Sequence, residues 1–415
     1  MRITSPSRDA RHPLSGVDPC DPVPFREGCQ HTLWQTLREE SPVSRWTAPN
    51  GTAFWSVTRY VDCERLLKDH RMFSSEHGTI LSSVGVGDAA RGMTMTITDP
   101  PRHGQLRNPV MRKLGRAVIR RCAGQLRAEV GRVLVPLLEH RELDFVELMH
   151  RLPMAMLAPM MGIPVDLRAE ISRWSAVSIT PDEPTFTGGV DGHTAARDAH
   201  VHLLDLFGAA IGRRLGDPGD DVMTALTELL LDGEPLTEWH VALNCYSLMM
   251  GAHATTPHVA GHTVLALAER PHLWAAVRAD PGLIPALVDE GTRWTSPTHH
   301  LVRRAVVDTE IGGVAISEGD WLCGWVGSAN RDHDVWEDPY DFRLDRAANP
   351  HLGFGAGAHY CIGAQISRAA LTILFEILAE HVERFEITDE PTHLTSNWIN
   401  GMTRMDLAVH LGATS

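Results

Sequence analysis

The sequence predicts a helix-rich α+β fold, mainly α with small β-sheets, and three observations carry that expectation. Four long segments place apolar residues at helical rather than alternating spacing. Two short stretches read as strands beside turn residues. The 415 residues are 43% apolar, ample for a large core, and show neither an internal repeat nor a long Gly/Ser/Pro linker. One domain spanning residues 1–415 is expected, with residues 1–20 as a disordered or extended arm.

The helical segments run from Arg116 to Leu138, Ala195 to Leu215, Glu238 to Glu269 and Leu283 to Thr295. In the third, Pro257 lacks the N–H that would bond the carbonyl of residue 253, so the helix should distort there. The strands are Thr52 to Ser56 and Thr309 to Ile316, the latter with Gly312-Gly313 as its turn. Near the start, Arg2, Arg8, Asp9, Arg11 and Asp21 stand among prolines, a pattern of neither a signal peptide nor a membrane span. A soluble, cytoplasmic protein is expected.

A formal charge of −14 argues against general nucleic-acid binding, which needs clustered basic side chains to neutralise phosphates. Charge is uneven, however. Arg102, Arg107, Arg112, Lys113, Arg116, Arg120 and Arg121 fall in one stretch without Asp or Glu. Such a run is either a solvated helix face or a surface that steers an acidic partner.

The most informative cysteine is Cys361, in Phe354-Gly355-Ala356-Gly357-Ala358-His359-Tyr360-Cys361-Ile362-Gly363. A cysteine that closes a glycine-rich loop and opens an apolar helix sits near backbone N–H groups, where a thiolate is favoured. That is a metal-ligand environment; the plain alternative is a buried structural cysteine. Cys20, Cys29, Cys63, Cys122, Cys245 and Cys323 are scattered and form no Cys-x-x-Cys pair, unlike zinc or iron–sulfur sites or a disulfide scaffold. A reducing compartment and a site with one cysteine ligand fit best. Haem brings four ring nitrogens of its own and needs only an axial ligand.

These motifs resemble the cytochromes P450. Phe-x-x-Gly-x-x-x-Cys-x-Gly is matched at Phe354, Gly357, Cys361 and Gly363, Glu-x-x-Arg at Glu290 and Arg293, and Pro-x-x-Phe-x-x-x-Arg at Pro339, Phe342 and Arg346. The resemblance covers essentially the whole chain. It implies a triangular helical body, with haem b (iron protoporphyrin IX) between a long central helix and the cysteine loop. It makes Cys361 the axial iron ligand, with Phe354, Gly355 and Gly363 shaping the loop. His103 and Arg107, in Asp99-Pro100-Pro101-Arg102-His103-Gly104-Gln105-Leu106-Arg107, would hold the haem carboxylates together with Arg303 and His359. Glu290, Arg293 and Arg346 would form a buried ion-pair network that fixes the loop.

In the same likeness, Gly251-Ala252-His253-Ala254-Thr255 is the oxygen-activation segment of the central helix, and the Thr255 hydroxyl supports protonation of bound dioxygen. Ala254 departs from the family pattern, which usually places Asp or Glu there to relay protons. His253 or His258 acting through water, or the substrate itself, would then supply them; the alternative for His253 is a packed or solvent-linked ring. Substrate contacts would come from Ser82 to Met95, Ser178 to Gly189, Met249, Met250 and Ala252, Pro297 to Val302 and Asn397 to Met402. Among these are Met250, Thr298, His299, Leu301, Trp398 and Ile399, with His300, Asn397 and Asn400 beside them. A polar and aromatic lining suits a substrate with amide, indole or phenol groups.

The resemblance implies a monooxygenase that takes dioxygen as co-substrate and electrons from NAD(P)H through a separate ferredoxin and ferredoxin reductase. Asp182-Glu183-Pro184-Thr185-Phe186-Thr187-Gly188-Gly189 and Ala329-Asn330-Arg331-Asp332 look like those of members that tailor natural products, antibiotics among them. The expected substrate is a small-molecule, amino-acid-derived or peptide-like intermediate of secondary metabolism, which a carrier protein could present. Two alternatives stand beside hydroxylation or epoxidation: a haem-thiolate oxidase that couples C–C, C–N or C–O without inserting oxygen, and a non-catalytic haem carrier or sensor.

Overall fold

Alternation along short strands builds the first of two compact units, which comprises residues 1–100, 292–361 and 393–401. The computed structural model describes Pro6 and residues 11–14, 18–181 and 183–412, so most of the expected N-terminal arm lies outside the described residues, as does Asp182 of the stretch Ser178 to Gly189. A five-stranded sheet runs in the order Val43–Thr47, Ala53–Val57, Trp321–Gly324, Leu301–Ala305, Phe73–Ser74. Ala53–Val57 and Trp321–Gly324 are parallel, and the other pairs are antiparallel. Successive side chains enter opposite cores. Phe54, Val302, Trp321 and Cys323 join Phe25, Trp34 and Trp325, while Val57, Ala305 and Leu322 join Leu66, Phe73 and Leu352. Leu301 packs with the second group, so Arg303, two residues on, projects from that same face.

The strand expected from Thr52 to Ser56 is Ala53–Val57. The expected hairpin is Thr309–Ile311 paired with Val314–Ile316, and Gly312 and Gly313 take φ of +55° and +78°, the left-handed pair that a two-residue turn requires.

The second unit, residues 101–291, 362–392 and 402–415, is mostly helical. Its long elements are Ala123–His140, Gly192–Gly216, Glu238–His253, Thr256–Ala268 and Ala364–His381. Strands Val382–Ile387, Asp406–Leu411 and Glu142–Asp144 form its antiparallel sheet. Gly192–Gly216 covers the segment expected from Ala195 to Leu215.

The single helix expected from Arg116 to Leu138 is a correction: Arg116–Arg121 and Ala123–His140 are separate, divided at Cys122 (φ −93°, ψ 6°). Apolar spacing does not register a one-residue break, because Ile119 and Leu126 stay buried on either side of it. The segment expected from Glu238 to Glu269 also divides, at Ala254 and Thr255, where Pro257 foretold distortion. Thr255 has φ −131° and ψ −55° and precedes a new helix with Pro257 in its first turn.

Candidate functional site

In the first unit, the cysteine loop owes its path to glycine. Gly355 takes φ 67° and ψ −164°, backbone that side chains disfavour. Gly357 has φ +70°, and a Cβ there would lie 2.7 Å from Lys68 Cα and 2.9 Å from the Leu67 carbonyl oxygen. Only a residue without a side chain brings the loop this close to the helix Tyr60–Lys68. The Cys361 amide donates to the Phe354 carbonyl (2.8 Å), so the loop folds back on itself and presents an exposed thiol. All seven cysteines are unbridged.

The loop is clamped from the Glu-x-x-Arg helix, Ile284–Thr295. Arg293, fully buried, donates through Nη1 to the carbonyls of Asn330 and Pro339 (both 2.9 Å) and through Nη2 to that of Asp341 (3.2 Å). Arg346 grips the same segment through the carbonyls of Glu337 (2.8 Å) and Asp341 (2.9 Å), and both guanidiniums lie over the Trp336 ring. Asn330 carries the link onward: its Oδ1 accepts from the Leu352 amide at 2.8 Å, at the start of the cysteine loop. Glu290, one turn before Arg293, is 1% exposed. Main-chain carbonyls are thus among the partners of both guanidiniums.

On the sheet face beside the loop, Arg303 is a buried cation. Burial pulls its pKa down to about 10 against the favourable pull of Asp99, and Nη1 donates to the Val302 carbonyl at 2.8 Å. A guanidinium has five donors, so this one suits an anion. His359 Nε2 lies 3.9 Å from Asp99 Oδ1, which also accepts from the Ser75 amide at 3.0 Å. Asp99 stood in a quoted motif without a role of its own, and the structure sets it near two of the four expected carboxylate-binding residues, Arg303 and His359. In the second unit, His103 and Arg107 stand one turn apart on the helix Arg102–Leu114, with His103 buried.

The helix break, also in the second unit, gathers the rest. Thr255 Oγ1 donates to the Gly251 carbonyl at 2.7 Å, so the two share a face, while Ala252, His253 and Ala254 are buried. His253 donates through Nδ1 to the Met249 carbonyl (3.1 Å), and burial lowers its pKa to about 3. It is a neutral ring.

The first unit brings two of the expected substrate stretches together. Thr298 and Ile399 form an antiparallel bridge, the His299 amide donates to the Trp398 carbonyl at 2.7 Å, and the Asn400 amide donates to that of Pro297 at 3.0 Å. Leu301 and Trp398 are half-buried there, and Met250 is half-buried in the second unit. The two histidines are committed elsewhere. His299 is 2% exposed against Phe25 and Trp34 (centroids 5.1 and 5.5 Å). His300 accepts from the Leu81 amide (3.1 Å), donates to the Asn397 carbonyl (3.0 Å) and is held neutral by burial, its pKa about 4.

Tertiary structure also trims the cationic stretch. Lys113 and Arg121 share Asp220, and Arg102 pairs with Asp232, so acids more than ninety positions away neutralise part of a run that has none of its own. Arg112, Arg116 and Arg120 have no ion pair among the described residues. Arg116 and Arg120 rim a groove of about 420 Å³ floored by Ile119, Leu126, Val288 and Ile373.

Comparison with known proteins agrees with this geometry. The family model described as Cytochrome P450 matches residues 282–402. Linalool 8-monooxygenase of Pseudomonas putida is 29% identical over 94% of this chain and 98% of its own. Cytochrome P450 NovI of Streptomyces niveus is 30% identical over 95% and 97%. The solved structure of Mycobacterium marinum cytochrome P450 CYP268A2 in complex with pseudoionone covers 96% of this chain and 99% of that one at 26% identity and a TM-score of 0.88. The chain belongs to the cytochrome P450 family and has its fold. It is an enzyme of the P450 monooxygenase type, and the family's cofactor is haem iron, which activates dioxygen. The residues present fit that cofactor: an exposed thiol on a glycine-built loop, and a buried arginine, suited to a carboxylate, on the sheet face whose core includes Leu352 and Ala356 of that loop region.

Proposed function

We propose that this enzyme hydroxylates or epoxidises a small natural-product intermediate of secondary metabolism, in the cytoplasm, with electrons passing from NAD(P)H through a ferredoxin reductase and a ferredoxin. Cys361 would ligate the iron, His103, Arg107, Arg303 and His359 would hold the propionates, and the residues 1–415 would act as one catalytic domain. The haem supplies the oxidising chemistry once iron has taken up dioxygen and electrons. The observation that carries turnover over a carrier or sensor role is the Thr255 hydroxyl bonded to the Gly251 carbonyl at a break in the helix. A hydroxyl held there can donate or receive a proton at a ligand on that face. No helix among the described residues is long and apolar enough to cross a membrane.

With His299 and His300 committed to packing and to main-chain bonds, the substrate stretches of the first unit offer the half-buried Leu301 and Trp398, a more apolar set than the sequence suggests. The half-buried Trp398 has no protein partner for Nε1 among the described residues, leaving one donor for a substrate oxygen. Linalool and pseudoionone, named with two of the similar proteins, are both isoprenoids with a single oxygen function. That chemistry supports a compact, mainly apolar substrate; amino-acid-derived and carrier-bound intermediates belong in the same screen. Spin-state titration of the ferric protein against such a panel tests it, followed by product mass. Gain of one oxygen supports the reading; loss of two hydrogens would replace it with oxidative coupling, which Ala254, by lacking a carboxylate, leaves open.

Two expected results follow. Thr255→Ala lowers product formed per electron consumed by about tenfold, the scale of a positioned proton-transfer group, while substrate still shifts the spin state. Reversing Arg116 and Arg120 to Glu slows reduction by ferredoxin by about tenfold at low ionic strength, a deficit that shrinks as salt screens the partners. Stopped-flow reduction at two salt concentrations measures it.

A further inference from the structure

The second unit contains a buried polar seam that nothing described so far uses. Helices Arg168–Ile179 and Glu238–His253 pack together, and the first presents Ser172, Ser175 and Ser178 three residues apart. At one end, Ser178 Oγ is 3.1 Å from the Tyr246 hydroxyl; both are half-buried, and the exposed His200 lies edge-on to Tyr246 (centroids 5.6 Å). At the other end, Ser172 Oγ is 3.5 Å from the His150 carbonyl. His150 is 9% exposed, and its ring stands edge-on to His258 (5.9 Å) and Phe186 (5.1 Å).

Four polar atoms along the seam lack a protein hydrogen-bond partner among the described residues. Both ring nitrogens of His150, the hydroxyl of the fully buried Ser175 and Nε2 of the fully buried His253 have no hydrogen-bond partner among the described residues. Groups of this kind are almost always satisfied, and where protein does not do it ordered water does. Two helical turns separate Tyr246 from His253, so both lie along one side of the helix. Because Nδ1 of His253 is bonded to the Met249 carbonyl, the lone pair of the neutral ring is on Nε2, ready to accept from water. The seam ends where the helix is broken. Pro257 withholds a donor from the His253 carbonyl, which leaves a further acceptor two residues from Thr255.

We propose that this seam is the enzyme's proton route: waters bridge Ser175, His150 and Nε2 of His253, and protons travel along them from the Tyr246–Ser178 end to the break at Thr255. The proposal rests on the monooxygenase reading above. Inserting one oxygen atom into a C–H bond takes up dioxygen, two electrons and two protons and releases one water; the redox partner supplies the electrons, and the protons must come from solvent. His150 suits pass-through, since neither ring nitrogen is held by protein among the described residues and a neutral imidazole can accept on one while donating from the other. His253 anchors the inner water. The route does the work that a carboxylate at position 254 would do.

The test uses the haem-loaded protein. A high-resolution crystal structure should show ordered waters within hydrogen-bond distance of Ser175 Oγ, His150 and His253 Nε2; a dry seam overturns the proposal. Independently, His253→Phe and the milder Ser175→Ala should each lower product per electron on the order of tenfold and change the solvent isotope effect on dioxygen consumption, as loss of a positioned proton-transfer path does. Unchanged coupling and isotope effect in a folded Ser175→Ala protein also overturn it. Retention of the thiolate-type carbon-monoxide band in both variants separates failure of the route from failure of the haem-thiolate assignment.

Discussion

Cys361→Ser is expected to abolish the thiolate-type Soret band of the reduced, carbon-monoxide-bound protein and to reduce substrate oxidation by roughly a thousandfold or more, the scale of losing the central member of a catalytic unit. The loop itself should survive. Its course is set by Gly355, by the absence of a side chain at Gly357 against Lys68, and by the hydrogen bond from the amide of residue 361 to the Phe354 carbonyl, none of which involves sulfur. Serine therefore keeps the backbone and replaces a soft, electron-rich ligand with a hard, weakly acidic one. With the carboxylate-binding residues proposed above left in place, haem should still be retained, so the measurement is the shape of the spectrum rather than haem content. An unaltered spectrum would show that another side chain ligates the iron.

Arg293→Ala is expected to destabilise the protein by about 3–5 kcal/mol, because a fully buried guanidinium leaves the carbonyls of Asn330, Pro339 and Asp341 without their donor and Glu290 buried beside the gap. The loss should fall first on the cysteine loop. Asn330 uses its carbonyl to receive Arg293 and its side chain to hold the Leu352 amide, so freeing one loosens the other. Thermal unfolding of haem-loaded protein should show a markedly lower midpoint, and the haem should leave more readily in a competition assay. Arg293→Lys should restore little, since an ammonium cannot fork to three carbonyls from one position. A midpoint within a degree or two of the parent would mean that the carbonyl contacts do not hold the loop.

Where a backbone demand admits few residue types, the sequence announced the structure. Gly355 and Gly357 had to be glycine, Pro257 had to interrupt its helix, and Gly312-Gly313 had to turn the hairpin; each is visible in a single line of sequence. Fold class was legible for the related reason that apolar spacing records which face of a helix or strand is buried. Long-range pairing left no such trace. Nothing near Lys113 or Arg121 points to Asp220, and nothing near Arg102 points to Asp232, so the cationic stretch looked stronger than it is. His299 and His300 are adjacent and chemically identical, yet one packs in an aromatic cluster and the other bridges two backbone segments. The break at Cys122 passed unseen because the apolar stripe continues across it. His150 and Ser175 carried no motif; their significance lies in burial without a protein partner, a property that only the folded chain possesses.

The central claim is that Cys361 presents a thiolate to haem iron. The spectrum of the haem-loaded protein, reduced and bound to carbon monoxide, tests this most directly. A strongly red-shifted Soret band of the thiolate type is the predicted result. A band at the position given by histidine-ligated or unligated haem in folded, fully loaded protein would contradict the account.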